Sequence, residues 1–144
     1  MRIPFACMLL LLLSAAVLAQ VPNDRYREFI NQHINKQMSA DRCDHVIQTR
    51  HITKPDSNEC KETNTFILST TNLIVNICVD AGERRGRMTT SNFPFSIIVC
   101  ELNNQGARRP RCQYSGKRLT RRITIECENG LPVHYAGDIV HFEN

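Results

Sequence analysis

The clearest periodic pattern of apolar residues lies in residues 24–38, DRYREFINQHINKQM. Apolar side chains recur there three and four positions apart, which places them on one face of an α-helix. Asn23 or Asp24 is suited to cap the start of this helix. We therefore predict an amphipathic helix over residues 24–38, with a buried stripe formed by Tyr26, Phe29, Ile30, Ile34 and Met38.

The pattern changes from helix to strand further along the chain. A second short helix is predicted over residues 41–49, with Cys43, Val46 and Ile47 on its inner face, before the turn-forming segment KPDSN. The segment TNLIVNICV, Thr71–Val79, fits a strand by its β-branched residues and a helix by its spacing, and the pattern leaves both open. Helices that precede strands indicate an α+β domain with an antiparallel sheet. Strands are predicted at residues 65–68, 95–100, 123–127 and 133–135.

The first residues, MRIPFACMLLLLLSAAVLAQ, combine Arg2, a short apolar run and small residues that approach Ala19. This order is typical of a secretory signal peptide, and we place the cleavage after Ala19. The alternative, a membrane span, needs an apolar run of roughly 20 residues, longer than the one present. We therefore expect a signal peptide over residues 1–19, a single domain over residues 20–144, and secretion to the extracellular space.

Six of the seven cysteines follow the predicted signal peptide. An even set of cysteines in an oxidising compartment predicts three disulfides, although the sequence alone does not choose their pairing. No Cys-x-x-Cys pair is present, so the cysteines do not fit a zinc site. We expect neither a metal nor another cofactor.

The chain carries 18 Lys and Arg residues against 14 Asp and Glu residues, a formal net charge of +4. Many of the cations cluster in what we predict to be three loops. Such clusters usually form solvated loop surface, and the alternative is a track for a polyanion whose binding weakens with added salt. The clusters are Arg84, Arg85 and Arg87; Arg108, Arg109 and Arg111; and Lys117, Arg118, Arg121 and Arg122.

Three short motifs carry the candidate chemistry: QH at residues 32–33, CKETNTF at residues 60–66 and PVHY at residues 132–135. Together with the signal peptide and six cysteines, they resemble the secreted pancreatic-type ribonuclease (RNase A) superfamily. The segment ECENGLPVH, residues 126–134, is similar to its angiogenin-like branch, which includes fish ribonucleases and has three disulfides rather than four.

This resemblance implies an RNase A-like fold, with three short helices packed on a bent antiparallel β-sheet. It implies that Thr71–Val79 forms the third helix and that Phe66 packs in the core. It also implies three disulfide pairs: Cys43 with Cys100, Cys60 with Cys112, and Cys78 with Cys127.

Cleavage of RNA by transesterification needs a base for the ribose 2′-hydroxyl, an acid for the departing 5′-oxygen, and positive charge on the phosphoryl transition state. The resemblance implies that His33 is the base, His134 the acid and Lys61 the cation. Taken singly, these residues also fit a core-facing histidine, a histidine on an exposed sheet face and a solvated lysine. The resemblance implies substrate binding by Gln32, Asn64, Thr65 and Tyr135, with Thr65 at the edge of a pyrimidine.

One position departs from the pattern of the family. Most relatives place an aspartate two residues after the second catalytic histidine, where it orients the imidazole, and this chain has Ala136 there. Either Asp138 reaches back to His134 or the imidazole lacks a carboxylate partner, which would lower activity. The other histidines, His45, His51 and His141, match none of the motifs, and we interpret them as surface residues.

We therefore predict a secreted, metal-independent endoribonuclease of low activity that cleaves single-stranded RNA 3′ of pyrimidines through a 2′,3′-cyclic phosphate. The alternative is a cationic host-defence protein whose action on anionic bacterial surfaces does not need catalysis. A third hypothesis is an angiogenin-like signal that acts through a cell-surface receptor. Heparin-like polyanions and a ribonuclease inhibitor are further expected partners of what we expect to be a monomer.

Overall fold

The computed structural model describes residues 23–139, and the predicted signal peptide and His141 lie outside this part of the chain. Three α-helices are present: α1 at Asp24–His33, α2 at Cys43–Thr49 and α3 at Thr71–Val79, with a 3₁₀ turn at Ala40–Arg42 before α2. Helix α1 is capped by the Asn23 side chain and α3 by the Thr70 side chain. No helix within the described residues is long and apolar enough to span a membrane.

The strands form one antiparallel sheet that bends where its longest strand changes partners. Strand β5, Tyr114–Glu128, pairs along its first half with β4, Phe95–Leu102, and β4 pairs with β1, Thr63–Ile67. Along its second half β5 pairs with β6, Leu131–Ile139, on one side and with β3, Met88–Ser91, on the other. Strand β2, Gly82–Arg85, completes a hairpin with β3 at the edge. The predicted fold class, three helices on a bent antiparallel sheet, is confirmed.

Each face of the sheet contributes to a separate apolar core, because successive side chains of a strand point to opposite faces. Phe66 and Ile98 pack with α2 in one core, and Ile67 and Ile97 pack with α1 and α3 in the other. All four side chains are fully buried. The two cores hold α1 and α2 on opposite sides of β1.

Three disulfides join the helices and loops to the sheet. They connect Cys43 to Cys100, Cys60 to Cys112, and Cys78 to Cys127, which are the pairs that the resemblance implied. The first ties α2 to β4, the second ties the segment before β1 to the segment before β5, and the third ties α3 to β5. Each loop closed by a disulfide spans about 50 residues, for which the chain-entropy model gives a stabilisation of about 4 kcal/mol.

The first helix is shorter than its apolar pattern predicts. It ends at His33, and Ile34 has extended backbone with φ −107° and ψ 117°. The amide of Asn35 donates to the carbonyl of Ile67 at 3.1 Å, so a hydrogen bond to β1 replaces continued helix. Met38 is buried as predicted, but in the core beneath α2 rather than on the stripe of α1.

All four predicted strands are longer than expected, and two strands, β2 and β3, were missed. Strand β5 begins at Tyr114, so the cluster of Lys117, Arg118, Arg121 and Arg122 lies on a strand and the prediction of a loop was wrong. Arg84 and Arg85 lie on β2, and only Arg87 of that cluster is in the turn. These segments are rich in charged residues, and pairing through the backbone to neighbouring strands makes them extended despite their composition.

Candidate active site

The residues singled out in three distant parts of the sequence line one cavity. His33 comes from the end of α1, Lys61 from the segment before β1, and His134 from β6. The cavity has a volume of about 590 Å³, enough for part of a nucleotide chain. Its walls also include Gln32, Thr65, Val99, Tyr135, Ala136 and Asp138.

His33 is a buried imidazole whose protonation pattern is set by one backbone carbonyl. Its Nδ1 lies 2.7 Å from the carbonyl oxygen of Thr65. Because a carbonyl only accepts, Nδ1 carries the proton, and in the neutral ring Nε2 is left with a free lone pair. Burial, together with the charges of Lys61 and His134, lowers the pKa of His33 to about 3, against the opposing hydrogen bond to Thr65. The ring is therefore neutral near pH 7 and can accept a proton.

Lys61 is held over the cavity by two amide oxygens. Its Nζ donates to Oδ1 of Asn64 at 2.8 Å and to Oε1 of Gln32 at 3.2 Å. Burial lowers the pKa of Lys61, and the nearby charge of Glu28 partly opposes this shift. An ammonium has three donors, so these two bonds leave one N–H for an anion in the cavity.

Two residues outside the predicted motifs complete this arrangement. The Tyr114 hydroxyl donates to the backbone carbonyl of Lys61 at 2.6 Å, and the Tyr114 amide donates to Asp44 at 2.7 Å. Burial and the Asp44 carboxylate raise the pKa of Tyr114 to about 12, so the phenol keeps its proton. Glu28 accepts from Nε2 of Gln32 at 3.1 Å. The sequence held one signal for the role of Tyr114. This residue lies two positions after Cys112, which forms a disulfide with Cys60, the neighbour of Lys61.

Strand β6 places His134 at the rim of the cavity, on its exposed side. The register between β5 and β6 shifts at Ala136, which has no partner opposite it. Asp138 lies further along, and its Oδ1 is 3.4 Å from Nε of Arg121. The sequence left open whether Asp138 reaches back to His134. In the structure its carboxylate pairs with Arg121 instead.

The remaining predicted residues separate into those that face the cavity and those that support it. Thr65 lines the cavity, with Val99 as its neighbour on β4, and Tyr135 stacks on His33 with ring centroids 5.2 Å apart. Asn64 is buried, and besides holding Lys61 its Nδ2 donates to the Gln32 carbonyl at 2.9 Å. Its side chain is thus occupied by protein groups, and the structure does not bring it to the cavity wall.

Other expectations concern residues away from the cavity. Phe66 is fully buried in the core, while His45 and His51 are exposed. Within residues 23–139 no group of three or more His, Cys, Asp or Glu side chains is arranged to hold a metal ion. The cavity thus presents a neutral imidazole, a second imidazole and an ammonium, a set suited to proton transfer and to binding a phosphate.

The comparison with known families identifies the class of protein that this fold and cavity define. The family model for pancreatic ribonuclease matches residues 24–136, so the chain belongs to the pancreatic ribonuclease family. The protein is accordingly a pancreatic-type ribonuclease, and RNA is its substrate.

Individual relatives support this assignment. The chain is 37% identical over 120 residues to ribonuclease-like 3 of Danio rerio, covering 81% of this chain and 80% of the relative. It is 40% identical over 127 residues to angiogenin of Macaca mulatta, covering 85% and 83%. Among solved structures, it is similar to zebrafish RNase5, with 42% identity, a TM-score of 0.77, and coverage of 81% of this chain and 98% of that one.

Proposed function

We propose that this protein is a secreted, metal-independent endoribonuclease that cleaves single-stranded RNA on the 3′ side of pyrimidines. The observation that carries the proposal is that His33, Lys61 and His134 line a single cavity, although they lie far apart in the sequence. The internal nucleophile is the RNA 2′-hydroxyl, so DNA is not a substrate.

The proposed reaction begins with the free lone pair of His33. Its Nε2 takes the proton of the 2′-hydroxyl while O2′ forms a bond to phosphorus and the bond from phosphorus to O5′ breaks. Protonated His134 gives its proton to O5′, so the products are a 2′,3′-cyclic phosphate and a 5′-hydroxyl. Water then opens the cyclic phosphate with the two histidines in reversed roles.

The remaining polar groups are proposed to act on the phosphate and the base. The free N–H of Lys61 meets the negative charge that grows on the phosphoryl oxygens, where a preoriented donor contributes most. Gln32 and the main-chain N–H of Tyr135 are proposed to donate to phosphate oxygens, and Thr65 to bind the pyrimidine edge. Asn64 is proposed to position Lys61 and Gln32 rather than to touch RNA.

We further propose that turnover is low. Asp138 is paired with Arg121, and Ala136 has no polar group with which to orient the imidazole of His134. An orienting carboxylate fixes both the tautomer and the direction of the imidazole ring. Without it, His134 is less well oriented to protonate O5′.

The test is cleavage of a uridylyl-adenosine dinucleotide with a chelator present. His33→Ala and His134→Ala are each expected to lower kcat/KM by at least about 100-fold, the usual contribution of general acid–base catalysis. His45→Ala is the matched control, because its side chain is exposed and does not line the cavity. Full activity in either active-site variant, with folding intact, would refute the proposal.

A second candidate function is host defence by binding to anionic bacterial surfaces. The observation that favours it is the β2–β3 hairpin, whose Arg84, Arg85 and Arg87 are all exposed. If binding alone kills bacteria, His134→Ala protein kills as well as wild type, whereas replacing the three arginines by glutamine abolishes killing. Loss of killing in His134→Ala alone would count against this function.

The other expected properties are also proposals. We propose secretion after cleavage at Ala19, a monomeric state, and inhibition by ribonuclease inhibitor and heparin-like polyanions. An angiogenin-like signal through a cell-surface receptor is proposed from the similarity to angiogenins. An endothelial tube-formation assay without response to the wild-type protein would exclude that signal.

A further inference from the structure

The loop between β4 and β5, residues 103–113, carries three arginines that the proposed reaction does not use. Arg108, Arg109 and Arg111 line a cavity of about 540 Å³, and among the described residues no Asp or Glu lines it. None of the three arginines lines the catalytic cavity. This segment, the arginine loop, therefore concentrates positive charge outside the candidate active site.

The arginine loop is held in shape by its own hydrogen bonds. The Asn104 side chain donates to the carbonyl of Arg111 at 2.7 Å and accepts from the amide of Gln113 at 3.0 Å. The amide of Arg111 in turn donates to the carbonyl of Arg108 at 2.9 Å. These bonds fix the backbone of the arginines before any ligand arrives, which lowers the entropy cost of binding.

The charges of the arginine loop are only partly neutralised. Arg108 lies 3.7 Å from Glu59, whereas within residues 23–139 Arg109 and Arg111 form no ion pair. The Nε of Arg109 is also buried without a hydrogen-bond partner among these residues. A buried donor without an acceptor is costly. A rotation of the Arg109 side chain within the cavity would let an oxyanion bind Nε and one Nη together, which removes this cost.

The chemistry of the arginine loop suits a tetrahedral oxyanion. A guanidinium presents its donors as a planar fork that matches two oxygens of a sulfate or a phosphate. A second cavity, of about 640 Å³, adjoins the first and shares Arg111 with it. The exposed amides of Gln48 and Gln113 line this second cavity. Amide groups both donate and accept, so they suit the hydroxyl groups of a sugar that carries the oxyanion.

The surroundings of the arginine loop favour a polysaccharide over RNA. Arg108 contacts Glu59, and Lys54 joins Glu59 to Glu62, the residue after Lys61. An RNA chain that ran from the catalytic cavity to the arginine loop would meet these two carboxylates, which repel phosphates. The exposed large apolar side chains of the described residues lie outside the loop, so it offers no anchor for lipid chains.

We propose that the arginine loop binds a sulfate group of a sulfated polysaccharide. Arg109 and Arg111 bind the sulfate, and the adjoining cavity holds the sugar. The inference goes beyond RNA cleavage, because neither cavity shares a lining residue with the catalytic cavity. It gives the heparin-like polyanions that we expect as partners a site of their own.

The test is calorimetric titration with a heparin tetrasaccharide. A variant in which Arg108, Arg109 and Arg111 are all replaced by glutamine is expected to raise Kd at least about tenfold, because it removes the direct charged hydrogen bonds. The matched control replaces Arg84, Arg85 and Arg87 on the β2–β3 hairpin, so it loses the same three charges elsewhere. Its Kd should rise less than about threefold. Equal losses in the two variants would show that net charge alone matters and would overturn the inference.

Arg109→Lys separates the shape of the guanidinium from its charge. Lysine keeps the charge but lacks the planar fork, so Kd for the tetrasaccharide is expected to rise about fivefold. Melting temperature checks that this variant and the two triple variants are folded at the temperature of the titration. An unchanged Kd in folded Arg109→Lys would contradict the assigned role of Arg109.

A nucleic-acid probe distinguishes the proposed ligand from RNA. Oligodeoxythymidylate carries phosphates but lacks the 2′-hydroxyl, so the protein can bind it without cleaving it. The arginine-loop variant and the hairpin variant are expected to bind this probe about equally well. If the loop variant loses as much affinity for the oligonucleotide as for the tetrasaccharide, the loop is part of a nucleic-acid surface and the inference is wrong. Neither titration measures turnover, so both outcomes are independent of the proposed ribonuclease reaction.

Discussion

At the scale of single residues, the chemistry available in the cavity depends on which polar atoms already have hydrogen-bond partners. The Thr65 carbonyl fixes the proton of His33 on Nδ1, and Gln32 and Asn64 occupy two donors of Lys61. What remains free, Nε2 of His33 and one N–H of Lys61, is what the proposed reaction needs. By contrast, the Asp138 carboxylate forms an ion pair with Arg121.

The buried state of His33 predicts a specific dependence of stability on pH. Its pKa is lowered from 6.5 to about 3 in the folded protein, so unfolded chains bind more protons between these values. The stabilisation from keeping His33 neutral is complete above pH 6.5 and is lost as pH falls toward 3, with a size on the order of a few kcal/mol.

We expect Tm to fall between pH 6.5 and pH 3.5, and to fall less in His33→Asn than in wild type. Calorimetric unfolding across this range gives the measurement, and His45→Asn, with an exposed side chain, is the control. If Tm falls equally steeply with pH in wild type and His33→Asn, the pKa of His33 is not lowered in the native protein.

We predict that replacing Ala136 by aspartate increases the ribonuclease activity. Ala136 lines the cavity two residues after His134, so a carboxylate there can orient the imidazole that Asp138 leaves without a partner. We expect kcat on a pyrimidine dinucleotide to rise about tenfold, in line with the contribution of outer hydrogen-bond partners.

The control for this gain is Ala136→Asn, which has nearly the same shape without the charge and is expected to gain much less. The Ala136→Asp effect should appear in kcat rather than in KM, since the aspartate would act on the acid and not on binding. No increase in kcat would mean that β6 holds residue 136 away from the imidazole.

At the scale of elements, the fold depends on the close approach of the 3₁₀ turn to β5. A Cβ built on Gly116 would lie 2.1 Å from the backbone oxygen of Ala40 and 2.8 Å from Sγ of Cys43. Gly116 is also the partner of Cys100 in the β4–β5 register, so the glycine lies beneath the Cys43–Cys100 disulfide. Only glycine lets the turn that leads into α2 pack onto the sheet here.

Gly116→Ala is therefore expected to destabilise the protein by about 3 kcal/mol or more, because a backbone atom cannot move aside as a flexible side chain can. Chemical denaturation of wild type, Gly116→Ala and the exposed strand variant Thr120→Ala gives the comparison. Thr120→Ala should cost less than about 1 kcal/mol. A Gly116→Ala protein as stable as the control would show that the turn can separate from β5 at little cost.

At the scale of the whole molecule, two disulfides of similar span are expected to differ in their effect on activity. Cys60–Cys112 and Cys78–Cys127 close loops with sequence separations of 52 and 49 residues, so their entropic stabilisation should be alike. Only the first adjoins Lys61, whose ammonium is proposed to bind the phosphate.

Replacing each pair with alanines should lower the free energy of unfolding by a similar amount, about 2–5 kcal/mol. At a temperature where both variants are folded, the loss of Cys60–Cys112 should reduce kcat/KM at least about tenfold more than the loss of Cys78–Cys127. Equal activities would indicate that the Tyr114 hydrogen bond alone holds the Lys61 backbone.

The residues of the candidate site could be predicted from sequence, whereas parts of their support could not. Short motifs indicated His33, Lys61 and His134 as candidates, and the spacing of Glu28 and Gln32, four residues apart on α1, could have indicated their bond. The bond from Tyr114 to Lys61 joins residues 53 positions apart, and its sequence signal is the nearness of Tyr114 to Cys112. The role of Asp138 was likewise open until its pairing with Arg121 was seen.

The sequence by itself determined the fold class, the first two helices in outline and the set of residues that we propose to transfer protons to RNA. It did so because apolar spacing and side-chain chemistry are local properties of the chain. Tertiary structure decided where α1 ends, that a charged segment becomes the first half of β5, and which polar atoms of the cavity stay free. These outcomes depend on backbone pairing and burial between distant segments, as the bond from Asn35 to Ile67 shows.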